Sequence, residues 1–63
     1  MNKRQRELLG RLEKLNEVMS KEGGMISIIW KLEYLEIKIL ILENNILEAK
    51  SSINRWEGKW KDF

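Results

Sequence analysis

The side chains that most often carry catalysis are scarce in this chain of 63 residues. Histidine and cysteine are absent, which removes the usual general base, the thiolate nucleophile and the commonest zinc ligands. No neighbouring residue in the sequence would activate a serine hydroxyl as a nucleophile. The serines are Ser20, Ser27, Ser51 and Ser52. The sequence therefore predicts a protein that is not an enzyme.

The carboxylates and glycines do not form a recognisable ligand-binding motif either. Glu33, Glu36 and Glu43 lack the Glu-x-x-His spacing of helical metal sites, and we interpret them as solvated charges. Gly23 and Gly24 lie outside any GxxxxGK[ST] sequence and do not form a GxGxxG motif after a strand. We expect no catalytic residues, no metal site and no cofactor.

Basic residues near the N-terminus are a candidate for phosphate contact. The residues concerned are Lys3, Arg4, Arg6 and Arg11, which an oligomer would bring together in several copies. The competing interpretation is a solvated helix start. The net charge of +2 and the pI of about 9.1 are only a weak basic bias, so nucleic acid is a secondary candidate partner.

The aromatic C-terminus permits two interpretations. Trp56, Trp60 and Phe63 recur at intervals of four and three residues, so they could close the end of a helical bundle as an aromatic plug. Alternatively, Gly58 ends the helix and the aromatic residues form a docking surface for a protein partner or a membrane interface.

The main pattern is a heptad repeat across the second half of the chain. Apolar residues alternate in steps of four and three, and such a 3.5-residue period stays in line only when helices wind around each other. The repeat therefore predicts a coiled coil over residues 28–63. Its positions are Ile28, Leu32, Leu35, Ile39, Leu42, Ile46, Ala49, Ile53, Trp56, Trp60 and Phe63, of which all but Phe63 form the predicted oligomer interface.

A second apolar stripe predicts packing within one chain. Gly23 and Gly24 break the helical pattern, so we expect helix 1 over about 5–22 to fold back on helix 2 over about 25–58. Helix 1 would then cover only the first half of the longer helix. The predicted packing residues are Leu8, Leu12, Leu15, Met19, Trp30, Tyr34, Ile37 and Ile41. The predicted fold is all-α, a single helical domain over residues 1–63 built as a helical hairpin.

The core positions of the repeat favour a parallel dimer. The β-branched residues Ile39, Ile46 and Ile53 lie at position a, and Leu35 and Leu42 lie at position d, which is the two-stranded preference. A homotrimer and an antiparallel bundle of two hairpins remain open alternatives.

The flanking charges favour the same orientation. In a parallel pair, Lys31 would face Glu36 of the second copy and Lys38 would face its Glu43. Each exposed pair contributes about 0.2–1 kcal/mol, so these pairs bias the orientation while the apolar repeat supplies the stability.

These features predict a non-enzymatic structural or oligomerisation protein whose first partner is itself. It would scaffold, or present a terminus to a protein partner. The alternative is a small helical-bundle regulator that binds nucleic acid or a protein helix. Charged residues interrupt the apolar segments, so no signal peptide or transmembrane segment is expected. We therefore expect a soluble protein, cytoplasmic by default, and no membrane partner.

Overall fold

The chain folds into three helices, in a computed structural model that describes the backbone of residues 1–61 and the side chains of residues 1–59. Helix α1 spans Lys3–Ser20, α2 spans Gly24–Leu42 and α3 spans Ile46–Lys61. Each helix contacts both of the others, and the bundle measures 33 × 20 × 16 Å. The prediction of an all-α fold is confirmed.

A capping box fixes the start of α1. The Asn2 side chain accepts a hydrogen bond from the Gln5 backbone N–H, and the Gln5 side chain accepts one from the Asn2 backbone N–H, which satisfies two free donors at the helix end. Gln5 is buried, and its amide also donates to the carbonyl oxygen of Ile41 at 2.9 Å. One glutamine thus caps α1 and attaches it to the last turn of α2.

The two adjacent glycines reverse the chain between α1 and α2. Gly23 and Gly24 have φ angles of 69° and 67°, in the left-handed region that glycine adopts without steric cost. The reversal places α2 antiparallel to α1. Helix α1 has bounds of Lys3–Ser20 in place of the predicted 5–22, and with 18 residues it is nearly as long as α2 with 19.

The core is built around Trp30 of α2, which is completely buried. Its indole N–H donates to the Asn16 side-chain oxygen of α1 at 2.8 Å. On its other side, the Trp56 ring of α3 meets it edge-on, with ring centroids 5.1 Å apart, a favourable aromatic geometry. The buried apolar side chains are Leu8, Leu12, Leu15, Met19, Trp30, Ile37, Ile41, Ala49 and Ile53.

The predicted single helix over 25–58 is instead two helices with a tight turn at residues 43–45. Asn44 has a positive φ of 64°, which asparagine tolerates better than most residues. The Asn44 N–H donates to the Ile41 carbonyl, and the Asn45 N–H donates to the Leu40 carbonyl. This pair of bonds is a Schellman motif, so α2 stops here and α3 turns back to cover the core.

Helix α3 is attached to α1 by polar contacts as well as by the core. The Arg11 guanidinium lies 2.5 Å from a carboxylate oxygen of Glu57 and donates to the Asn54 side chain at 2.7 Å. The salt bridge is about one-third exposed on both sides, so it aligns the two helices more than it stabilises them.

The described residues include neither a membrane-spanning helix nor a metal-binding cluster. None of the three helices has both the length and the apolar composition needed to cross a lipid bilayer. Within the same part of the chain, no group of acidic residues is placed to hold a metal ion.

Candidate functional site: the exposed apolar face of α2

Helix α2 is apolar on two opposite faces, and only one of them is covered. Trp30, Ile37 and Ile41 point into the core. The opposite face, which we call the α2 stripe, points to solvent. The α2 stripe consists of Ile28, Leu32, Leu35, Ile39 and Leu42. Its spacing of four, three, four and three residues places all five side chains in one line along the helix.

The exposure of the α2 stripe is large for a folded protein. Its side chains are between 54% and 66% exposed, and Met25 and Ile29 beside it are 75% and 51% exposed. Single exposed aliphatic residues are common, whereas a contiguous apolar patch marks an interaction site. The α2 stripe is therefore the strongest candidate for a functional surface in the described part of the chain.

Charges of opposite sign border the α2 stripe on its two sides. Lys31 and Lys38 lie one heptad, or about two helical turns, apart along one edge, and Glu36 and Glu43 lie along the other edge. The Lys38 ammonium group sits 5.6 Å from the centroid of the Tyr34 ring. The basic edge thus lies on the side of α2 where Tyr34 reaches towards α1.

A tyrosine–carboxylate hydrogen bond joins α2 to α1 next to the basic edge of the α2 stripe. The Tyr34 hydroxyl donates to the Glu13 carboxylate of α1 at 2.5 Å. This hydrogen bond raises the pKa of Tyr34 above its usual 10.0, with smaller contributions from burial and from the negative charge of Glu13. The bond links α2 to α1 beside the basic edge of the α2 stripe.

The later positions of the predicted interface lie elsewhere. Ala49 and Ile53 are completely buried in the core of their own chain, and Ile46 and Trp56 pack against that core while half-buried. Because α3 turns back at Asn44, the heptad positions on α3 face the core of their own chain. The heptad positions on α2 face the solvent. The side chain of Trp60 lies outside the described residues.

The residues predicted to pack within one chain do come together. Seven of the eight, Tyr34 excepted, are buried in the core, and Tyr34 packs against it while half-buried. They meet α3 as well as each other, so α1 and α2 form two sides of a three-helix bundle.

The fold places the members of each candidate site at the chain ends in different surroundings. Lys3, Arg4 and Arg6 are exposed on the first turns of α1, whereas Arg11 is engaged by α3. Of the C-terminal aromatic residues, Trp56 packs on Trp30, and its remaining surface lines a cavity of about 400 Å³. The side chains of Trp60 and Phe63 lie outside the described residues.

Three polar residues that shape the site escaped the sequence analysis. Gln5 and Asn16 form buried or half-buried hydrogen bonds across helices, and their partners could not be identified without the fold. Asn44 could have been identified, because an Asn-Asn pair offers a left-handed residue that ends one helix and a start for the next.

No protein family, curated protein or solved structure matches this chain.

Proposed function

We propose that the protein is a non-enzymatic oligomerisation module that self-associates through the α2 stripe. The observation that carries this proposal is the solvent exposure of Ile28, Leu32, Leu35, Ile39 and Leu42 on a helix whose other face forms the core. Covering this face would add stability to a small chain that has no cysteine for a disulfide.

A parallel dimer suits the charges that border the α2 stripe. In parallel helices, the basic edge of one copy faces the acidic edge of the other, so Lys31 meets Glu36 and Lys38 meets Glu43. In an antiparallel pair, lysines would face lysines and glutamates would face glutamates, which is unfavourable. The homotrimer is the second arrangement that the experiments below distinguish.

The same charges favour a second copy of the chain, and not a lipid surface, as the partner that covers the α2 stripe. Helices that lie on membranes carry Lys and Arg around their polar face and are attracted to anionic lipid. Here Glu36 and Glu43 occupy one edge of the α2 stripe, and they would be repelled by an anionic membrane. A protomer of the same sequence supplies the matching lysines.

Sedimentation equilibrium of the wild type beside Ile39→Lys tests the proposal. Ile39 is 54% exposed, so its burial contributes about 0.8–1.6 kcal/mol per protomer, and both copies lose this in the variant. We expect the dissociation constant to rise at least about tenfold, with unchanged helicity by circular dichroism. Leu47→Lys is the matched control, because Leu47 is 84% exposed on α3, outside the stripe, and should leave association unchanged.

The orientation is tested separately by exchanging charges. Lys31→Glu combined with Lys38→Glu places two glutamates of each copy against the acidic edge of the other copy and should weaken association. Adding Glu36→Lys and Glu43→Lys to the same chain should restore it at low ionic strength. A loss followed by its restoration is specific to parallel helices, because in an antiparallel pair each exchange only replaces facing like charges by other facing like charges. The proposal is refuted if the wild type does not associate at any concentration. Association that Ile39→Lys leaves unchanged would show that the interface is a surface other than the α2 stripe.

A further inference from the structure

We infer that the turn at residues 43–45 can open, so that α2 and α3 join into one long helix whose α3 half pairs with α3 of a second copy. In the compact bundle, α3 covers its own core. In the open chain, the core-facing side chains of α3 would leave their own core. They would pack instead against the equivalent side chains of a second copy. This inference rests on the proposed self-association through the α2 stripe.

The first support is the phase of the apolar residues across the turn. The α2 stripe ends at Leu42, and the core-facing residues of α3 continue from it without a slip in the heptad count. A bundle of three separate helices does not require this match, since α3 only has to face its own core. The continuing positions are Ile46, Ala49, Ile53 and Trp56.

The second support is the composition of the turn itself. Glu43, Asn44 and Asn45 are exposed, and neither glycine nor proline separates the two helices. Asn44 is the one described residue other than glycine with a positive φ, a conformation that disfavours the turn relative to a continuous helix. Straightening the turn therefore relieves an unfavourable backbone conformation.

The third support is the charge pattern beyond the turn. In a continuous parallel pair, Asn45 would face Lys50 of the second copy, and Ser52 would face its Glu57. Neither pairing places like charges together, so the long helices meet no electrostatic barrier along α3. Helices α1 and α2 keep their mutual contact in this state, because both contribute side chains to the same core and the Trp30 indole donates to Asn16 of α1.

Single-cysteine variants distinguish the two states, since the chain has no native cysteine. Ile39→Cys reports pairing of the α2 stripe in both states. Ala49→Cys reports only the open state, because residue 49 is completely buried in the compact bundle and lies at the interface in the open one. Ile53→Cys is a second reporter in case Ala49→Cys misfolds. Leu47→Cys, exposed but outside the heptad interface, measures random collision.

Hinge variants should move the cross-linking yield in opposite directions. Replacing Asn44 and Asn45 by alanine favours the continuous helix, and the yield at residue 49 should rise by a factor of about 5–30. Asn44→Gly relieves the left-handed residue and should lower the yield below that of wild type. Ser51→Ala, a helix-favouring change away from the turn, should leave it unchanged.

The outcomes separate the two proposals. Cross-linking at residues 39, 49 and 53 that exceeds the yield at 47 and follows the hinge variants supports the open state. Cross-linking at 39 alone, even with the alanine hinge, overturns the open state and leaves the proposed function intact. Cross-linking at none of them above the level at 47 overturns both. In solution scattering, the open helix over residues 24–61 would extend to about 57 Å, against 33 Å for the bundle.

Discussion

The substitution Ile53→Val measures whether α3 belongs to the core of its own chain. Ile53 is completely buried between α1 and α2, so removing one methylene group should cost about 0.5–1.5 kcal/mol. A chain of this size has a total stability of about 3–9 kcal/mol, which leaves the variant folded. The expected fall in melting temperature is about 2–12 °C.

The assay is thermal and urea denaturation followed by circular dichroism, at several protein concentrations. Leu47→Ala is the matched control, because Leu47 lies on the same helix but is 84% exposed and should change stability by less than about 0.5 kcal/mol. The loss for Ile53→Val should be the same at every concentration. Equal losses for the two variants, or a loss for Ile53→Val that disappears on dilution, would refute the packing of α3 described above.

Three further changes test individual contacts. Gln5→Ala removes the capping box and the bond to the Ile41 carbonyl, and should cost about 1–2 kcal/mol in urea denaturation. The hydrogen bond to Glu13 raises the pKa of Tyr34 in the folded state. The stabilisation from this bond is therefore complete below the unfolded-state pKa of about 10 and is lost as pH rises through the folded-state pKa. In this pH range, the melting temperature of wild type should fall more steeply than that of Tyr34→Phe. Arg11→Ala should cost less than about 1 kcal/mol, and the loss should shrink in high salt, as measured by denaturation with and without added sodium chloride.

The sequence predicted the α1–α2 packing because its signals are local. Gly23 and Gly24 mark the reversal, and helical periodicity identifies which side chains of each helix share a face. Those residues, from Leu8 to Met19 on α1 and around Trp30 on α2, now lie in one core. The α2 stripe was identified by the same periodicity, although a single chain cannot show what covers it.

The division of the second helix was not predicted because two signals conflicted. The heptad count runs through Leu42 and Ile46 without a slip, which favours one continuous helix. Against it stands only the pair Asn44 and Asn45, which helices tolerate at moderate cost. Tertiary contact decided the outcome, because only a turn at this point lets Ala49 and Ile53 cover the open side of the core.

The most direct test of the central claim is an isotope-filtered NMR experiment on a mixture of labelled and unlabelled chains. Such a sample detects methyl contacts only between different copies. Self-association through the α2 stripe predicts intermolecular contacts at the methyl groups of Ile28, Leu35 and Ile39. Intermolecular contacts confined to other surfaces, or their absence in a sample that remains monomeric at millimolar concentration, would contradict it.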